Sequence, residues 1–157
     1  MPEQSLPLSV FYDLLLADRA VSRLMSVALA DSDITPLEYG IYTALQAAPG
    51  ITATQLAADM HTPLTTMGDW LAKPVRCGHV DRSRLPEDRR AWALHLTPDG
   101  EAAFERARLD FAAAYVRYLA LPGIDVEAQQ AALASLRAGA LAIATELESD
   151  GVIAADP

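Results

Sequence analysis

Residues 82–101 read RSRLPEDRRAWALHLTPDGE, and the reading of this stretch decides the fold. Short segments of strand character, Val80–Leu85 and Ala91–Leu96, bracket a charged Pro86–Arg90 tip, a pattern that predicts a β-hairpin. Thr97 and Pro98 follow at once as the cap and first residue of a helix. Four arginines, Arg82, Arg84, Arg89 and Arg90, crowd this one hairpin, although the 157-residue chain carries a net charge of −9.

That charge is uneven. Residues 1–49 carry a net −4 and residues 101–157 a net −5, whereas residues 50–100 balance to zero. An anionic partner would meet least repulsion in the middle third. The hydrophobic share of 52% and charged share of 21% place the chain with globular proteins rather than disordered ones. A single cysteine, Cys77, excludes an intrachain disulfide framework. It reads as structural in preference to a redox sensor. No apolar run approaches the roughly 18–20 residues of a membrane span, and the start MPEQSLPLSV lacks a basic signal-peptide region. The expectation is a cytoplasmic protein with no membrane partner.

Working outward, residues 6–30 predict a long helix, with Val10, Leu14, Val21, Leu24, Met25 and Ala28 at three- and four-residue spacing. Thr35, Pro36 and Glu38 form a capping-box start, and Thr52 with Gln55 repeats the device. A third start falls at Thr62–Pro63. Gly68 and Pro74 disfavour that last short helix, so it is expected to kink or end near Lys73. Beyond the hairpin, a helix carries Phe104, Phe111, Tyr115 and Tyr118, ALPGID interrupts it, and Asp125 caps a final helix. The fold class is mainly α with a small β-hairpin. The expected divisions are an N-terminal dimerisation helix at 1–34, a winged helix-turn-helix at 35–97 and C-terminal dimerisation helices at 98–157.

Three short helices followed by a hairpin form the winged helix-turn-helix layout. Its last short helix can enter a major groove, and its wing can reach the backbone or a minor groove. Thr65, Thr66 and Lys73 on helix 63–77, together with Arg82, Arg84, Arg89 and Arg90, are the candidate DNA contacts. The alternative for the arginines is a solvated hairpin bridged to Glu87 and Asp88.

The stretch ITPLEYGIYTALQAAPGITATQLAADM, continued by GHVDRSRLPEDRRAWALHLTPDGE, resembles the multiple-antibiotic-resistance regulator (MarR) family, and the flanking helices extend the likeness to nearly the whole chain. The resemblance implies that Asp88 braces Arg90 in an Asp-x-Arg motif directed at the minor groove. It also implies a homodimeric transcription regulator, usually a repressor, which reads a pseudo-palindromic double-stranded operator and is often released by a small aromatic or phenolic effector. The chain departs from the family at Asp69, where an arginine is common. A MarR-like protein with weak or lost DNA binding, serving as a ligand-binding or protein-interaction module, is the alternative.

The effector cleft implied by the resemblance would draw on Tyr12, Arg19, Arg23, Tyr39, Tyr42, Phe111 and Tyr115, with one arginine holding a carboxylate. In the plainer reading, the arginines pair with Asp18 or with acids across the dimer, and the aromatics pack. Trp70 and Trp92 read as core anchors. His61, His79 and His95 lack zinc-ligand spacing with Cys77. No catalytic grouping or cofactor motif stands out, so neither an enzyme nor a cofactor is expected.

Overall fold

The structure, a computed structural model, describes residues 9–84 and 91–150. Asp88, Arg89 and Arg90 lie outside the described residues. The elements run α1 (Ser9–Ala28), α2 (Pro36–Ala47), α3 (Ala53–Asp59), α4 (Leu64–Arg76), β1 (Val80–Arg84), β2 (Trp92–Leu96), α5 (Pro98–Leu119) and α6 (Val126–Ser149). The fold is mainly helical with one antiparallel hairpin, as the sequence predicts. Two compact units divide the chain, Met1–Tyr115 and Val116–Pro157.

Local signals place the helix starts. The Thr35 hydroxyl accepts the Glu38 N–H while Glu38 Oε2 accepts the Thr35 N–H, and Thr52 with Gln55 forms the same reciprocal pair. Each box satisfies two donors that the first helical turn leaves unpaired. α4 begins differently: Pro63 is its N-cap and supplies no side-chain bond. Between α3 and α4, His61 takes a positive φ of 49° and turns the chain. Asp125 caps α6 by accepting from the Ala128 N–H.

The first unit closes around Ile41, Tyr42, Leu45, Leu56, Met67, Leu71, Leu94 and Phe104. Tyr42 is fully buried, and its hydroxyl lies 3.0 Å from His79 Nδ1, which ties α2 to the entry of β1. In the hairpin, Val80 pairs with Leu96 and Arg84 with Trp92. A further bridge, Thr52 to Ala93, joins β2 to the start of α3. The TPDG segment has a packing reason: Gly100 lies against the backbone of His79, whose carbonyl a Cβ would strike. Thr97 Oγ1 accepts the Gly100 N–H and donates to the Gly78 carbonyl, so this one hydroxyl joins the α5 start to the β1 turn.

α4 does not stop at Lys73 but continues through Pro74 to Arg76, inside the expected span of 63–77. Pro74 falls in the final turn with its ring buried in the core, and it has no N–H to give the Trp70 carbonyl. Trp92 is not a core anchor: it is 42% exposed, and the Arg84 guanidinium sits 4.8 Å above its ring. Trp70 does pack against the core.

In the second unit, Tyr118 donates to Gln129 Oε1 at 2.7 Å, and α6 has no buried residue. Leu133 and Ile143 on α6 are each more than half exposed. In the first unit, α1 likewise exposes Phe11, Leu15, Leu16, Val21 and Val27.

Candidate nucleic-acid interface and effector cavity

α4 packs through Met67, Leu71 and Pro74. That choice turns Thr65, Asp69, Ala72 and Arg76 outward, all four exposed, at helical spacing from Thr65. Thr66 is half-buried at the flank. Arg76 was not singled out from sequence; its spacing of eleven residues from Thr65 is the signal that finds it.

Lys73 is already engaged. Its Nζ lies 2.8 Å from Glu38 Oε2, the same oxygen that takes the Thr35 N–H. Among the described residues Glu38 is the one buried charged side chain, and Lys73 is 45% exposed at its side chain. Burial pushes the Glu38 carboxyl up, yet hydrogen bonds from Lys73 and Thr35 outweigh it and hold the group below its ordinary value. Lys73 therefore anchors α4 to α2, and that bond leaves less of its charge for a phosphate.

On the hairpin, Arg82 and Arg84 are exposed and alternate onto one face with Trp92 and Leu94 opposite. A groove of about 240 Å³ runs beside them, lined by Thr52, Thr54, Leu64, Gly68, Arg82 and Trp92 among others. On the other face, Ser83 Oγ and His95 Nε2 lie 3.1 Å apart. Arg76 at the helix end and Arg82 and Arg84 on the wing stem are thus all exposed.

The aromatic candidates separate. Tyr39, Phe111 and Tyr115 line one cavity of about 270 Å³, with Arg108 and Ala112. The Phe111 and Tyr115 rings stack at 6.1 Å, and Tyr39 tilts against Phe111 at 5.6 Å. Burial pushes the Tyr39 phenol up, which keeps it a neutral donor. Tyr42 belongs to the core instead, where burial also raises its phenol. Tyr12, Arg19 and Arg23 are exposed on α1 and do not line this cavity.

The cavity's cation is Arg108, which the sequence reading missed because α5 offers several arginines and only packing selects one. Its guanidinium makes two hydrogen bonds to Glu105, at 2.6 and 2.7 Å, and these hold the Glu105 carboxyl below its ordinary range. Among the described residues, no group of three His, Cys, Asp or Glu could hold a metal ion. Nor is any described helix long and apolar enough to cross a membrane.

No protein-family model and no curated protein matches the sequence. Solved structures do. The transcriptional repressor CouR bound to a 23-mer DNA duplex is 26% identical, with a TM-score of 0.72 over 90% of this chain and 99% of that one. A mutant MarR from Escherichia coli complexed with operator DNA aligns at 22% identity and a TM-score of 0.73, covering 83% of this chain and 94% of that one. The PcaV transcriptional regulator from Streptomyces coelicolor, in complex with its natural ligand, aligns at 22% identity and a TM-score of 0.63 over 81% and 91%.

Proposed function

The chain is by fold a MarR-family winged-helix protein, and from that premise we propose that it is a homodimeric DNA-binding transcription regulator, a repressor released by a small aromatic acid. The observation that carries the reading is the α4 surface. Its apolar side is fixed in the core, its stripe of Thr65, Asp69, Ala72 and Arg76 is exposed, and its Leu64 and Gly68 share a groove with Arg82 of the hairpin stem. In this reading α4 enters the major groove, and Arg89 and Arg90 at the tip reach the minor groove with Asp88 bracing Arg90.

A second copy is what the exposed leucines, valines and isoleucine of α1 and α6 call for, because helices with such faces bury them against a partner. A two-fold dimer spaces its recognition helices about 34–36 Å apart and reads a pseudo-palindrome. The effector belongs in the cavity of Tyr39, Arg108, Phe111 and Tyr115, where phenol, apolar ring faces and guanidinium converge.

Selection of the full chain on random duplexes at low salt, followed by titration of the enriched duplex, tests the regulator. Arg90→Ala should weaken binding at least about ten-fold, and Asp88→Ala should weaken it less. A failure to enrich any duplex, with Arg90→Ala indistinguishable from the parent, would favour the second reading, a ligand-binding or protein-interaction module. The net charge of −9 and the outward carboxylate of Asp69 are what speak for that alternative.

A further inference from the structure

Asp69 is the one acid on α4, and it stands in the middle of the outward stripe. Among the described residues it forms no hydrogen bond and no ion pair, although Arg76 shares its stripe. Its neighbours are small. Ala72 is exposed one turn on, and Gly68 is exposed alongside, where a Cβ would meet nothing within 4 Å. No packing inside the chain requires that glycine, and helix propensity disfavours it. A glycine that the interior does not need leaves room for something outside to approach closely.

Resting on the proposed reading of α4 as the major-groove helix, we propose that Asp69 is a specificity-determining residue that selects a cytosine in each half-site. A carboxylate beside phosphates is repelled and loses water, so it needs a hydrogen-bond donor in return. It can only accept. Guanine offers acceptors N7 and O6 on its major-groove edge, and thymine offers O4 and a methyl group. Adenine's amino group lies between two acceptors, its own N7 and the O4 of the paired thymine. Cytosine's N4 amino group has an acceptor on one side alone, the O6 of its paired guanine. Cytosine therefore attracts the carboxylate with least opposing charge. The short reach of an aspartate demands close approach, which Gly68 and Ala72 allow.

The test is the same duplex selection carried out with the parent and with Asp69→Asn, Asp69→Ala and Gly68→Ala, each checked for an intact melting transition. The parent should enrich a C·G pair at one fixed position of each half-site. Asp69→Asn should move that position toward A·T, since an asparagine amide matches adenine N6 and N7, changing the C-to-A affinity ratio about ten-fold or more. Asp69→Ala should lose the preference at that position alone, without weaker binding overall. Gly68→Ala should raise the melting temperature yet weaken binding. If the parent and both Asp69 variants enrich the same motif with the same base ratios, the inference is overturned while the regulator reading stands. If the parent enriches no motif, both fall.

Discussion

The Lys73 ammonium on α4 and the Glu38 carboxylate on α2 meet at 2.8 Å, thirty-five residues apart in the chain, on an oxygen that also closes the α2 capping box. The outward-facing helix is thereby fixed to the helix behind it. Removing the lysine would leave a buried carboxylate with one donor fewer.

Lys73→Met keeps the side-chain stem and removes the charge. It should cost about 1–2 kcal/mol in chemical denaturation, less than a fully buried pair because Lys73 is 45% exposed. A double-mutant cycle with Glu38→Gln isolates the coupling. Unchanged stability in Lys73→Met would mean that the pair contributes nothing to the fold.

The same pair sets an acid limb. Glu38 titrates below its ordinary value of 4.5 in the folded chain, so the unfolded chain takes up its proton first as pH falls. Its stabilising contribution is full above that value and is lost as pH drops through the lower folded one. Melting temperature should fall below about pH 4.5, and Glu38→Gln should flatten that part of the curve. Parallel acid limbs in parent and variant would assign the loss to other carboxylates.

Gly100→Ala probes the junction of α5 with β1. The added methyl would strike the His79 carbonyl, a rigid backbone atom rather than a flexible side chain. Destabilisation of about 3 kcal/mol is expected, at the upper end for overpacking. Gly139→Ala on α6 serves as the contrast, since a Cβ there meets nothing within 4 Å. It should stabilise by up to about 1 kcal/mol. Equal effects at the two sites would contradict the packing argument.

For the effector, benzoate and its phenolic derivatives are the probes. Binding should raise the parent's melting temperature. Arg108→Ala should weaken it roughly ten-fold on losing a charged hydrogen bond, whereas Arg19→Ala and Arg23→Ala should bind as the parent does. Glu105→Gln should tighten binding, because the ligand carboxylate competes with Glu105 for the Arg108 guanidinium. Equal thermal shifts in parent and Arg108→Ala would remove this arginine from the site.

Local features were legible in the residues themselves. Both capping boxes, the hairpin, the Thr97–Pro98 start and the Asp125 cap depend on partners three residues away or on a turn, close enough in the chain to be read from it. The order of helices and wing, and hence the fold class, follows from them.

Tertiary packing decided the rest. Tyr42 and Tyr39 lie three residues apart on α2 and both meet Phe104 of α5, yet Tyr42 turns into the core toward His79 whereas Tyr39 also meets Phe111 and lines a cavity. Trp92 shares its face of β2 with the buried Leu94 yet is exposed near the strand's start, where the Arg84 guanidinium covers its ring. Pro74 is accommodated with its ring buried in the core, and the turn after it is closed by the Cys77, Gly78 and His79 N–H groups on the carbonyls of Lys73, Val75 and Pro74. Lys73 found Glu38, and Arg108 reached the cavity, through contacts between helices far apart in sequence. Periodicity names the face of a helix; which neighbour meets that face is set by how the helices stack, and side-chain partners follow from that.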